Sequence, residues 1–329
     1  MSQPPFPAPP WPMTFGQILD RIYRLTRANL RLFLAIATIP AGLSMLILAA
    51  FEAAIFVPII RQLPNSPTPQ TITQLFNPTV IFPSFVLLML FNGVVFALYF
   101  AASNHAATQA DRGFSVSLSE SYAFAWTRAG RYLSLLFLTY VLTFFPVLVI
   151  ELTMFGGFSL LSLGKPDSNP AAFLLIPLGM LLILAASVYA VLIGLRLCLA
   201  FPACVVEGLP VVTALKRSSH LTQGAKGRIF LVLLVIYAIL CAAVMVFEFV
   251  AMFLFAIGFL LISFLQIHLA PPWTYIAIGC GILCALVAMF LYTALSWAIL
   301  TSALAVLYRD QRLRVDSPLP MPVQPGAPA

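Results

Sequence analysis

The sequence predicts an all-α, polytopic helical membrane protein with about six transmembrane helices, and three observations carry the prediction. The chain is 62% hydrophobic and only 8% charged, with a mean hydropathy of +1.03, where an ordinary soluble domain has roughly 25% charged residues. Several stretches supply the about 20 apolar residues that a helix needs to cross the hydrocarbon. None shows the alternation of an outer-membrane barrel strand. Six spans and short connections use up the 329 residues and leave no length for a soluble catalytic domain.

Taken in order, residues 1–12 form a proline-dense tail, extended and cytoplasmic. A polar helix follows at 13–33, with Phe15, Ile18, Leu19, Ile22 and Leu25 on one face and Asp20, Arg24, Arg27 and Arg31 on the other. That pattern predicts an interfacial amphipathic helix. Spans are expected at about 32–60, 80–106, 132–157, 172–206, 229–262 and 273–307. The first is expected to stay in the mature chain, because it runs past the length of a signal-peptide core and lacks a cleavage site. Gly258 offers a break in the fifth, which is otherwise too long for the hydrocarbon. A second proline-dense tail closes the chain at 317–329.

Segments 116–137 and 214–230 match the first polar helix. Each places a Thr before a small-residue turn and a basic residue: Thr26 and Arg31, Thr127 and Arg131, Thr222 and Arg228. Glu52, Glu151 and Glu248 then recur near the far ends of spans one, three and five, and Asp111, Glu207 and Asp310 end spans two, four and six. The single transmembrane domain, 13–316, therefore reads as three tandem units at about 13–111, 112–207 and 208–316, each a surface helix followed by a hairpin. Thr14 with Gln17 and Ser117 with Glu120 predict capping boxes. Pro210 suits the first turn of the third polar helix.

Of the 17 Lys and Arg residues, 14 lie on the side of the polar helices and only Arg61 and Lys165 in the opposite loops; Arg196 falls within span four. The positive-inside rule then puts both termini in the cytoplasm and the protein in the cell membrane.

The runs FGQILDRIYRLTRANL at 15–30, ALKRSSHLTQG at 214–224 and LYRDQRLRVD at 307–316 resemble the membrane domain of the glycerophosphoryl diester phosphodiesterase family, which also has stand-alone members. The usual ending of that family is closer to Tyr-Tyr-Asp followed by Arg-x-Arg and an acid; here it is Tyr308-Arg309-Asp310, then Arg312, Arg314 and Asp316. The resemblance implies a membrane location. The phosphodiesterase activity of such proteins belongs to a separate soluble barrel that this sequence does not contain.

No hydrolase elbow, zincin helix, P-loop or dinucleotide fingerprint is present, and His105, His220 and His268 are too scattered for a shared metal. The five cysteines include no CxxC, and Cys280 and Cys284 read as small packing residues. The expectation is a non-enzyme with no cofactor. An interior polar site is drawn from Glu52, Glu151, Glu248 and Arg196, because ionisable groups facing lipid are costly. The three Glu residues either end helices in water or line a cation or amine-headgroup site. Arg196 reaches toward one of them or toward a carbonyl freed by Pro146 or Pro177.

Arg24, Arg27, Arg31, Arg128, Arg131, Lys216, Arg217, Lys226 and Arg228 form either a solvated face that sets topology or contacts to anionic lipid. Nucleic acid is not an expected partner, since the net charge of +7 is a membrane-side bias without aromatic interleaving. The expected partners are membrane lipids and a further membrane protein, in a lipid-interacting scaffold or accessory subunit. The alternative is a transporter for a small polar or amphipathic substrate.

Overall fold

Apolar chain in lipid must satisfy its backbone within itself, and every regular element among the described residues is an α-helix. The computed structural model describes residues 13–62, 78–162, 170–264 and 271–316; the two proline-dense tails lie outside them. The helices are α1 (Phe15–Ala28), α2 (Leu30–Gln62), α3 (Pro78–Asp111), α4 (Leu118–Thr127), α5 (Ala129–Ser162), α6 (Pro170–Leu197), α7 (Ala200–Glu207), α8 (Val211–Thr222), α9 (Lys226–Phe264) and α10 (Pro271–Asp316). Six of them, or their longer apolar stretches, are long and apolar enough to cross a membrane. The chain is a multi-pass membrane protein.

Both expected capping boxes form. The Thr14 and Gln17 side chains exchange hydrogen bonds with each other's backbone amides, as do those of Ser117 and Glu120, so orphan donors at both helix starts are satisfied. Pro210 stands one position earlier than expected, as the N-cap of α8. Glycines at positive φ reverse the chain between helices: Gly113 before α4, Gly208 before α8 and Gly224 before α9.

Two helices differ from the sequence reading. Helix α9 runs without interruption through Gly258 to Phe264. The fourth span, in contrast, is split at Cys198–Leu199 into α6 and α7. Pro202 accounts for the break, since it has no N–H for the carbonyl of Cys198 and its ring crowds that carbonyl. Arg196 consequently sits at the end of a helix, inside the fourth candidate span Pro177–Glu207.

Packing is concentrated at one end of the bundle, called here the capped end. There α1 packs on α10, α4 on α3 and α8 on α7. The buried residues of the spans follow the same gradient. Helix α2 buries Phe33, Ile36 and Ala37 but exposes Leu46 and Leu48; α9 buries Ile229, Val232 and Ile236 but exposes Met245 and Phe249. Alanines let backbones approach closely where hydrophobic drive is absent: Ala97, Ala101 and Ala102 of α3 and Ala294 and Ala298 of α10 are buried, and these two helices pack together. The apolar stripe of α1 is also spent on protein. Ile18, Ile22 and Leu25 are buried in the core while Phe15 is exposed, so α1 is a lid on the bundle and its apolar face is not free to enter lipid.

Prolines within spans leave carbonyls that neighbouring helices must satisfy. Pro40 deprives the Ile36 carbonyl of its helical donor, and the Tyr122 hydroxyl of α4 donates to that oxygen at 2.7 Å. Pro146 does the same to Leu142, and the Tyr189 hydroxyl of α6 donates to it at 3.1 Å. Burial pushes the Tyr122 hydroxyl well above its usual ionisation range, which keeps it a donor. A span proline and a tyrosine on the adjacent helix thus act as one joint.

Candidate functional site

Helix α10 has 46 residues and is therefore about 69 Å long, far more than the roughly 30 Å of a hydrocarbon core. Its last turns, Tyr308 to Asp316, stand at the capped end and meet the acids that close spans two and four, Asp111 and Glu207, as well as its own span-ending Asp310. Arg309 pairs with Asp111, Arg312 with Glu207 at 3.5 Å, and Arg314 with Asp310 at 3.0 Å. Three arginines of one helix end go to three different span-ending acids.

Each acid also holds an arginine from elsewhere. Arg21 of α1 reaches Asp111 at 2.7 Å, Arg217 of α8 reaches Glu207 at 3.3 Å, and Arg228 of α9 reaches Asp310 at 3.2 Å. Glu207, Arg217, Asp316 and Arg312 close a ring of alternating charge, with Arg217 also paired to Asp316 and Arg312 to Asp316 at 3.5 Å. The Tyr308 hydroxyl donates to Glu207 as well. Hydrogen bonding to Asp316, above all, holds the Arg217 guanidinium up in its charged form.

Asp310 is the most enclosed of these groups, its side chain 0% exposed. It accepts from the Met13 backbone amide at 3.3 Å and from Arg314 Nε at 3.0 Å, while Arg314 donates onward to the Met13 carbonyl at 2.7 Å and Arg228 donates to the same oxygen. Residues 13 and 310 are thereby clamped, so both described chain ends lie at the capped end. An ion pair this enclosed adds little net stability, yet removing one partner is expensive. Its effect is to fix which helix end meets which.

Arg217 and Arg228, expected at lipid headgroups, are instead held by carboxylates, because α8 and α9 bring them against the ends of α7 and α10. The other basic candidates stand at the surface. Arg24 is paired with exposed Asp20 at 2.9 Å, Arg27 lies over the Tyr23 ring, and Arg131 donates to the Gly208 carbonyl at 2.8 Å. Arg31, Arg128, Lys216 and Lys226 are exposed.

The acids of the expected interior site are not gathered around Arg196. Glu151 and Glu248 are exposed on α5 and α9, and the side chain of Glu52 lies outside the described residues. Arg196 is at the capped end, its Nε donating to Ser219 Oγ of α8 at 2.6 Å. Its carbonyl, orphaned by the break before α7, accepts from Ser218 Oγ at 2.8 Å and Thr222 Oγ1 at 3.4 Å. The carbonyl freed by Pro146 is taken by Tyr189 and not by Arg196.

A cleft of about 400 Å³ opens beside Arg196, lined also by Lys216, Ser219, His220, Leu142 and Ile193. His105 is elsewhere, stacked on Phe124 with ring centroids 4.1 Å apart. His268 and the side chains of Cys280 and Cys284 lie outside the described residues. The ion-pair network was visible in the sequence only as a set of span-ending acids; the i, i+4 spacings Asp310–Arg314 and Arg312–Asp316 were its one local signal. No family model, curated protein or solved structure matches the chain.

Proposed function

We propose that the protein is a non-enzymatic, lipid-interacting scaffold or accessory subunit of the cytoplasmic membrane, with both termini inside. The observation that carries this reading is the division of charge at the capped end. Asp111, Glu207, Asp310 and Asp316 are all taken up by arginines. Arg27, Arg31, Arg128, Lys216 and Lys226 have no carboxylate partner among the described residues and face outward. A keyed, internally neutralised platform with surplus cations on its outside suits a layer of anionic headgroups, each cation near such a surface contributing about 1 kcal/mol.

The platform is built from three tandem units. In support, α4 rests on the end of α3, α8 on α7 and α1 on α10, so each surface helix caps the second span of the unit before it and the first closes on the last. Tyr189 and Tyr292, each eighteen residues before its span-ending acid, donate to carbonyls of their own unit's first span, Leu142 and Leu240. The resemblance to the phosphodiesterase membrane domain agrees with a membrane location and adds no chemistry. Exposed apolar side chains farther along α2 and α9, such as Leu46, Leu48, Met245 and Phe249, serve lipid or a partner membrane protein.

Electron spin resonance of the reconstituted protein with spin-labelled phosphatidylglycerol or phosphatidylcholine tests the reading. The expected result is a larger motionally restricted fraction for the anionic lipid, shrinking at high salt as screening sets in. Equal fractions for the two lipids would count against it, and solute flux through the protein in sealed vesicles would favour a transporter.

A further inference from the structure

The cleft beside Arg196 has two kinds of lining. Arg196 at the end of α6 and Lys216 and His220 on α8 supply the polar part, with Ser219 between them. Lys216 and His220 are four residues apart and share a helix face. Neither they nor Arg196 has a carboxylate partner among the described residues, so the mouth of the cleft carries uncompensated positive charge. Leu142 and Ile193 supply the apolar part. Leu142 lies thirteen residues along α5 from its start at the capped end, about 20 Å inward, at a depth where acyl chains run.

The cationic mouth is built and not incidental. Ser218 and Thr222 fasten α8 to the orphaned Arg196 carbonyl, and Ser219 accepts from Arg196 Nε. These three bonds hold α8 beside Arg196, and Lys216 and His220 line the same cleft. The geometry points to a binding site for one anionic diacyl phospholipid, its phosphate between Arg196 and Lys216 and the start of its acyl chains along Leu142 and Ile193. A volume of about 400 Å³ falls within the range of small-ligand sites and suits a headgroup with the upper chains. Arg supplies forked donors to phosphate oxygens and Lys a point charge. The site rests on the lipid-interacting reading above and specifies one tight position within it.

Native mass spectrometry of the full chain, released from mixed phosphatidylglycerol and phosphatidylcholine nanodiscs, tests the site. One retained phosphatidylglycerol is expected for the wild-type protein. R196Q/K216Q should bind it roughly thirty-fold more weakly, the effect of two surface cations. Ile193→Trp, which fills the cleft without changing charge, should lose it too, whereas Arg112→Gln, an exposed cation outside the cleft, should keep it. The pair of cleft variants guards against misfolding of either one.

Retention by both cleft variants overturns the site while leaving the general preference for anionic lipid intact. Binding of inorganic phosphate as tight as that of the lipid overturns the lipid as occupant. A wild-type protein that retains the two lipids indifferently overturns the site and the broader reading together.

Discussion

The proline–tyrosine joint between α4 and α2 yields a prediction that can be worked through. Pro40 leaves the Ile36 carbonyl without its helical donor, and Tyr122 supplies a substitute at 2.7 Å. Tyr122→Phe keeps the ring and removes the hydroxyl, so a carbonyl in the packed region becomes unsatisfied. Ile36 is 0% exposed, which closes off rescue by water, and the expected loss is about 1–3 kcal/mol. In the Pro40→Ala background the residue-40 amide can bond Ile36 itself. There the same Tyr122→Phe change should cost well under 1 kcal/mol, a coupling of about 1–2 kcal/mol between positions on different helices. Reversible unfolding in mixed micelles, run on all four proteins, reads this directly. If Tyr122→Phe costs the same with and without Pro40, the joint is not what satisfies the carbonyl and the reasoning fails.

Other outcomes follow from the capped end. Asp310→Asn should cost about 3 kcal/mol by stranding Arg228 and Arg314 beside a neutral group, whereas Asp20→Asn, in an exposed i, i+4 pair, should cost about 0.5 kcal/mol or less; the same unfolding assay compares them. Gly208→Ala, at φ 65°, should lose about 1–2 kcal/mol to left-handed strain, while Gly93→Ala, in mid-helix where an added methyl meets only open space, should gain about 0.5–1 kcal/mol. Reporter tags at the two ends of the chain should both be reached only from the cytoplasmic side, as tested in right-side-out and inverted vesicles; opposite sides would conflict with the Met13–Asp310 clamp.

Much of the fold was legible because membrane helices announce themselves by composition and length. The spans, the capping boxes at Thr14 and Ser117 and the span-ending acids all follow from local sequence. Several partners of those acids did not, because they are remote in the chain: Arg21 meets Asp111 across 90 positions and Met13 meets Asp310 across 297. Arg217 and Arg228 looked like surface cations because nothing nearby in sequence marks them as buried partners. The helix end beside Arg196 was recoverable in principle, since Pro202 signals a break four residues before it. Likewise Pro40 and Pro146 flagged freed carbonyls, but only the fold shows that Tyr122 and Tyr189 answer them. Glu151 and Glu248 looked like interior groups because their neighbours are apolar, yet apolar neighbours on a span report the surrounding lipid as readily as a protein interior.

The central claim is that the capped end lies against anionic headgroups, and Trp126, 70% exposed on α4, is a native probe of it. With the other tryptophans, Trp11, Trp273 and Trp297, replaced by Phe, its fluorescence would be measured in vesicles carrying a headgroup-labelled quencher on phosphatidylglycerol or on phosphatidylcholine. Stronger quenching by the anionic lipid is expected at low salt, with the difference lost at high salt. Equal quenching by the two lipids at low salt, or none by either, would contradict the claim.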